Sequence, residues 1–170
     1  MNRVLKILAI AVLAVTIAGA GAVLYAVRMF TPQVEQVTVL ATPAVQAQDV
    51  FDEAMDQLAL GTFMGREFDA QPSLRAQDCT FLTYTVRLAN RGFFPAEWIA
   101  LVVTPRSGAD GAAGDVLQLA DSGTYVLGAG SRGDLSATIL TTLDAADTQR
   151  ELEISCYVFG KKTAFTIAAQ

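Results

Sequence analysis

Hydrophobic positions along this chain take three forms in turn. From Ile7 to Val27 they are nearly continuous, and 21 residues pass without a charge. From Phe51 to Leu58 they recur at helical spacing, as Phe51, Ala54, Met55 and Leu58. Beyond Gly61 they alternate with polar residues, the period-two pattern of half-buried strands. The three forms predict a long apolar helix, a short amphipathic helix and a run of β-strands.

At about 1.5 Å per residue, the first segment reaches roughly 30 Å, the thickness of a bilayer's hydrocarbon core. Residues 1–30 therefore read as a transmembrane anchor. A secretory signal is the competing reading: Arg3 and Lys6 make a charged head, Ile7 to Ile17 an apolar stretch, and Ala18-Gly19-Ala20 or Ala20-Gly21-Ala22 a cleavage site. A signal has no need of the second apolar stretch, Val23 to Val27, and a span does. Tyr25 and Phe30 also sit where interfacial aromatics belong. The anchor is thus read as retained. No cysteine follows the apolar run to accept a lipid, and no glutamate lies inside it as in pilin-type helices. Arg3 and Lys6 outnumber Arg28 across the span, so the positive-inside bias leaves the N-terminus in the cytoplasm. The expected location is the cell membrane, single-pass, with the domain outside.

Residues 31–48 read as a juxtamembrane connector, with Pro32, Pro43 and a short Val37–Val39 alternation able to pair as an edge strand. Residues 49–170 read as the folded domain, opening with a helix over 49–60. Asp49 can cap it, Asp52 and Glu53 suit its positive end, and Gly61 fits just past its C-terminus. Its apolar face is expected to cover a face or edge of a sheet. Strands are predicted at Thr62–Phe68, Cys79–Ala89, Glu97–Thr104, Val116–Leu119, Thr124–Leu127, around Leu135–Ile139, Leu152–Val158 and Thr163–Ala168. Glu97–Thr104 is too continuously apolar to be half exposed, so it is placed centrally. Pro105–Gly114 and Leu143–Arg150 read as loops. Seven or eight short strands with turn signals between them give an all-β class, an antiparallel β-sandwich.

Charge narrows the partners. The chain has 12 basic and 17 acidic residues, and without Arg3 and Lys6 the net charge falls from −5 to −7. That balance is unsuited to nucleic acid or an anionic lipid surface. Histidine is absent, which removes the commonest general base and metal ligand. Cys79 and Cys156 are the two cysteines. Outside the cytoplasm such a pair suggests one disulfide, the alternative being two buried thiols.

The stretch Tyr84-Thr85-Val86-Arg87-Leu88-Ala89-Asn90-Arg91-Gly92 is an alternating strand ending in Asn and a turn. With Leu135–Thr141 it resembles small immunoglobulin-like domains of membrane-anchored bacterial envelope proteins and the late-embryogenesis-abundant type 2 group. The resemblance covers about Cys79 to Ala168 and implies an immunoglobulin-like sandwich. It departs from the antibody pattern at Trp98, which falls late for the core tryptophan, and at Ile154, where a corner tyrosine would stand. It speaks to fold and not to function.

Other motifs read as structure. Gly128-Ala129-Gly130-Ser131-Arg132-Gly133 fits G-x-G-x-x-G, but the alternating Asp134–Ile139 follows where a dinucleotide site needs a helix. Arg132-Gly133-Asp134 spells an integrin-type tripeptide, which would need an exposed turn. Asp110, Asp115 and Asp121 lie in glycine-containing loops and are the weak candidates for Ca²⁺, without EF-hand spacing. Glu97 reads as a solvent-facing strand end. Phe93, Phe94 and Trp98 are expected in the core, or on a binding surface if exposed. With no Ser–His or Cys–His pair, no phosphate loop and little room for a sugar cleft between paired carboxylates, catalysis and cofactors are not expected. The sequence thus points to a structural or protein-interaction module that contacts an envelope partner, with a small-ligand or Ca²⁺-binding domain as the alternative.

Overall fold

The computed structural model describes residues 3–30, 32–59, 74–105, 115–119 and 121–169. Helix α1 runs Arg3–Phe30. It is built from Leu, Ala, Ile and Val without proline, and Thr16 turns its hydroxyl back onto the Val12 carbonyl at 2.9 Å. Ile10, Val12, Leu13, Val15 and Ile17 are all exposed. Among the described residues, whose side chains here are those of 9–22, no helix is long and apolar enough to cross a membrane.

The remaining elements form two antiparallel sheets. β1 (Gln33–Pro43), β2 (Cys79–Ala89), β7 (Arg132–Thr142) and β4 (Asp115–Gln118) lie in that order in the first, and β5 (Ser122–Gly123) also pairs with β7. The second has the order β6 (Val126–Leu127), β3 (Ala96–Pro105), β8 (Arg150–Val158) and β9 (Lys161–Ala169). β3, placed centrally from its apolar run, pairs with β8 on one side but with the two-residue β6 on the other at Ala96 and Glu97 alone, so beyond Glu97 it has strand pairing on one side. The predicted Thr124–Leu127 strand shortens to β6 in the second sheet, and the predicted turn before it contains β5, which stays in the first. Gly123, at φ 116°, precedes the crossing, and a Cβ there would strike the Asp134 carbonyl oxygen. The predicted strand Thr62–Phe68, Gly61 and most of the Pro105–Gly114 loop lie outside the described residues.

Alternation places the core between the sheets. Leu82, Tyr84, Val86 and Leu88 of β2 and Leu135, Ala137 and Ile139 of β7 meet Ile99, Leu101 and Val103 of β3 and Leu152, Ile154, Cys156 and Val158 of β8. A second, smaller core lies on the opposite face of the first sheet. Helix α2 (Gln48–Ala59) brings Phe51 and Ala54 against Cys79, Phe81, Leu117 and Leu140. The short helix therefore covers one face of a sheet, at the end where β2 begins.

Arg150, in the predicted polar loop, is only 1% exposed. It opens β8, and its guanidinium donates to the carbonyls of Ala145, Ala146 and Thr148 and to Thr141 Oγ1. A buried cation so surrounded fixes the connection from β7 to β8.

The expected disulfide is not formed: Cys79 and Cys156 are both free and buried. Cys79 faces Thr142 at the end of β7, beside Thr141, which Arg150 contacts at the start of β8. Cys156 lies six residues further along β8, roughly 20 Å at about 3.3 Å per residue. The two sit toward opposite ends of the sandwich and in different cores, beyond the ~7 Å Cα reach of a disulfide. Burial, helped by the neighbouring Asp78, pushes the Cys79 thiol up and keeps it protonated.

Candidate interaction surfaces

The edges of the two sheets are not equivalent. At the exposed side of β3, Ile99 N–H reaches the Tyr125 carbonyl at 3.1 Å. Asp121 Oδ2 accepts Leu101 N–H at 3.1 Å. Gln118 accepts Val103 N–H and donates to the Leu101 carbonyl, both at 2.9 Å. Side chains from the end of β4 and the loop after it thus stand in for a missing strand, and the edge of β3 is closed. β9 begins with the exposed Lys161 and Lys162, the charge that commonly blunts an edge.

β1 is different. The 31–48 connector contains a strand of 11 residues, Gln33–Pro43, paired along its length with β2. A bulge between Val34 and Gln36 breaks its alternation, which is why only Val37 and Val39 stood out in the sequence. From Gln36 to Thr42 it carries no charge and no proline. Val34 and Val37 pack on the main core, while Leu40 is 65% exposed. Among the described residues β1 pairs with β2 alone.

The face beside this edge is polar. Thr83 Oγ1 and Thr138 Oγ1 lie 2.9 Å apart, as do Thr85 Oγ1 and Ser136 Oγ. Arg87 holds Asp134 through two bonds of 2.8 and 2.9 Å. Its guanidinium draws the Asp134 carboxyl below its ordinary value. Arg132 binds Glu35 at 2.8 Å, with Arg91 at 3.7 Å, and chiefly the Arg132 bond lowers the Glu35 carboxyl likewise. Both acidic groups are exposed, so these are weak, salt-sensitive ties.

Those pairs dispose of the integrin-type tripeptide. Arg132-Gly133-Asp134 is not an exposed turn but the opening of β7, with both charged side chains engaged. A Cβ on Gly133 would strike the Thr124 side chain, its Cβ at 2.8 Å. Gly128–Ser131 forms a turn between β6 and β7, with Ser131 N–H on the Gly128 carbonyl at 3.1 Å; a strand follows and not a phosphate-binding helix. Of the calcium candidates, Asp110 lies outside the described residues, Asp115 opens β4, and Asp121 has its carboxylate on β3. No group of three or more Cys, Asp or Glu side chains able to hold a metal occurs among the described residues.

The aromatic residues expected in the core are on the surface. Trp98 is 75% exposed and Phe93 74%. Phe159, in the turn between β8 and β9, is 68% exposed, and its ring meets Phe94 at 3.9 Å between centroids. Trp98 occupies the bulge between Glu97 and Ala100, which turns it outward while Ile99 goes into the core. Trp98 (φ 51°) and Phe159 (φ 54°) are the two non-glycine residues with positive φ among the described residues. For Trp98 the neighbouring sequence carries no such signal, since an unbroken apolar run hides a bulge, whereas Gly160 marks the turn that holds Phe159. Asn90 fixes the adjoining loop: its Nδ2 donates to the Phe94 and Leu127 carbonyls at 2.7 and 2.9 Å, and its Oδ1 accepts Gly92 N–H.

No family model matches the chain, and no curated protein matches it. Among solved structures, the chain is similar to the yeast GGA1 GAE domain at 15% identity and a TM-score of 0.37, over 59% of this chain and 85% of that one. At that score the likeness carries no argument about function.

Proposed function

We propose that this chain is a membrane-tethered, non-enzymatic interaction module, an immunoglobulin-like sandwich outside the membrane that receives an extended segment of an envelope protein along β1. The single observation behind this reading is the unprotected β1 edge. From Gln36 to Thr42 a partner strand would find about 23 Å of backbone donors and acceptors. The other long edges are closed by Gln118 and Asp121 or flanked by lysines. Strand order supports the immunoglobulin-like reading: β1-β2-β7-β4 and β3-β8-β9 follow the two sheets of the constant-type sandwich. The 28-residue α1, with its exposed apolar side chains, supports tethering. The absence of histidine supports a role without acid–base chemistry.

The test is a photo-crosslinking residue at position 40, with position 166 on β9 as control, in the full chain in its native membrane. The reading expects one extended partner segment captured at position 40. A synthetic peptide of that segment should then slow amide exchange at alternate positions within 36–42 of the purified full chain. Capture at position 166 alone, or unchanged exchange in β1, overturns it. A β1-to-β1 crosslink between copies replaces the foreign partner with self-association.

A further inference from the structure

Register places several surface features at one end of the sandwich, the end that α1 enters. Gln33 opens β1 opposite Ala89, and Ala89 also faces Arg132. The 90–95 turn that follows carries Phe93 and Phe94. Across the second sheet, Ala96 faces Leu127, and Glu97 faces both Val126 and Tyr157. The β8–β9 turn with Phe159 and Gly160 lies just beyond, closed by Val158 opposite Lys161. Phe93, Trp98, Val126 and Phe159 therefore crowd the end from which the chain leaves for α1. Between Phe30 and Gln33 there are three residue steps, at most about 11 Å of extended chain.

We infer that this end is a membrane-docking face: Phe93, Trp98 and Phe159 enter the headgroup layer of the bilayer that holds α1, with Lys161 and Lys162 on its phosphates. The inference rests on the anchored reading above. Aromatic rings settle at the membrane–water interface because their apolar bodies and electrostatic faces suit that layer better than water or hydrocarbon. Lysines beside them can extend their ammonium groups to phosphate. The charge on this end runs against the rest of the domain. Among the described residues, Arg87, Arg91, Arg132, Lys161 and Lys162 lie toward this end with Glu35, Glu97 and Asp134, although the chain as a whole is acidic. Chain-wide charge therefore does not describe this surface.

Backbone strain singles out the same residues. Bulky side chains at positive φ are costly, and such strain persists where the surrounding fold enforces it, most often at functional positions. Both non-glycine examples here, Trp98 and Phe159, are aromatic, largely exposed and at this end. The fold has a local use for each conformation, since Phe159 and Gly160 make the two-residue hairpin turn and the bulge at Trp98 admits Ile99 to the core, but neither use calls for an exposed aromatic ring. With a bilayer within chain reach, the same rings gain an apolar environment on their outer side. A tether this short also keeps the local lipid concentration high, so modest aromatic contacts suffice.

Trp98 is the chain's one tryptophan, so its emission reports this face directly. The full chain is reconstituted in phosphatidylcholine–phosphatidylglycerol vesicles, and retention is checked by flotation after an alkaline wash. Lipid brominated near the headgroup should quench most Trp98 emission, lipid brominated near the methyl end less, and the spectrum should be blue-shifted. Phe93→Ser with Phe159→Ser should return the emission to that of water-exposed tryptophan. Phe159→Gly should do so in part with little loss of stability, since glycine accepts the φ of that position. Lys161→Glu with Lys162→Glu should weaken quenching only where phosphatidylglycerol is present. Chain retained on vesicles with Trp98 unquenched by lipid and open to aqueous iodide overturns docking and leaves the anchor intact. Chain not retained overturns both. Trp98 protected in native membranes but not in pure lipid assigns the face to a protein and also overturns the inference.

Discussion

Replacing Gln118 by Met keeps most of the side chain's bulk and removes its amide. Two hydrogen bonds go with it, one from Val103 N–H and one to the Leu101 carbonyl, each 2.9 Å long. Val103 and Leu101 are buried, so water reaches their backbone poorly. At about 0.5–1.5 kcal/mol for each neutral bond, the expected loss is about 1–3 kcal/mol. For a domain of this size a loss near 2 kcal/mol lowers Tm by about 4–10 °C. Urea unfolding of the full chain in detergent, followed by the β-sheet circular dichroism signal, measures it. Asp121→Ala removes the neighbouring bond to Leu101 N–H and should cost a similar amount. Because both side chains serve Leu101, the double variant should depart from additivity. An opened β3 edge should also self-associate, which sedimentation detects. A Gln118→Met loss below ~0.5 kcal/mol, with no association, would refute the claim that side chains close this edge.

Other outcomes follow from the same geometry. Asn90→Ala removes three hydrogen bonds at the base of the aromatic turn and should cost about 2–4 kcal/mol in the same unfolding assay. Gly133→Ala drives a methyl group into Thr124 and should cost about 1–3 kcal/mol; a neutral result would restore the tripeptide's freedom to turn outward. Thiol reagents should leave Cys79 and Cys156 unmodified in the native protein and label both in denaturant, with or without prior reduction. Glu35 and Asp134 have folded pKa values below their unfolded ones, so their contribution is present above the unfolded carboxylate range and is lost as pH falls through the folded values. Glu35→Gln should therefore lower stability slightly near neutrality at low salt, flatten the acid limb, and change little at low pH or at high salt.

How much of this could be read in the sequence depends on whether a residue's role is written in its neighbours. Cys79–Ala89 alternates cleanly, and its predicted bounds are those of β2. The helical spacing of Phe51, Ala54, Met55 and Leu58 gave α2 and its packing against a sheet. What escaped was set by contacts distant in sequence or by breaks in period. The bulge at Glu35 disguised most of β1 as a connector. The bulge at Trp98 made an exposed tryptophan look like core. Ser122–Gly123 reads as a turn because its pairing with β7 depends on Ser136 and Leu135, more than ten residues later. Asp121 looked like a loop carboxylate because its partner, Leu101, is 20 residues away. Arg150 sits where a polar loop ends, and only the turn of carbonyls folded around it shows why a cation is buried there. The cysteine count suggested a bond that register forbids.

The two proposed surfaces constrain one another. β1 starts at the end where α1 enters and runs toward α2, so its bulge at Glu35 lies nearest the proposed docking face and its unbroken part, Gln36–Thr42, lies farther away. A domain pinned at that end by Phe93, Trp98 and Phe159 would stand with β1 leading away from the headgroups. An added strand would then run along the membrane normal, which suits a segment arriving from another anchored protein. Without docking, a tether of a few residues leaves the domain free to tilt, and the edge takes no fixed angle to the bilayer. Loss of the aromatic contacts should therefore slow strand addition on the membrane while leaving peptide binding in detergent unchanged. Measuring both rates for the wild type and the Phe93→Ser, Phe159→Ser variant separates the two surfaces. Equal losses in membrane and detergent would show that the aromatic residues act on β1 through the fold and not through lipid.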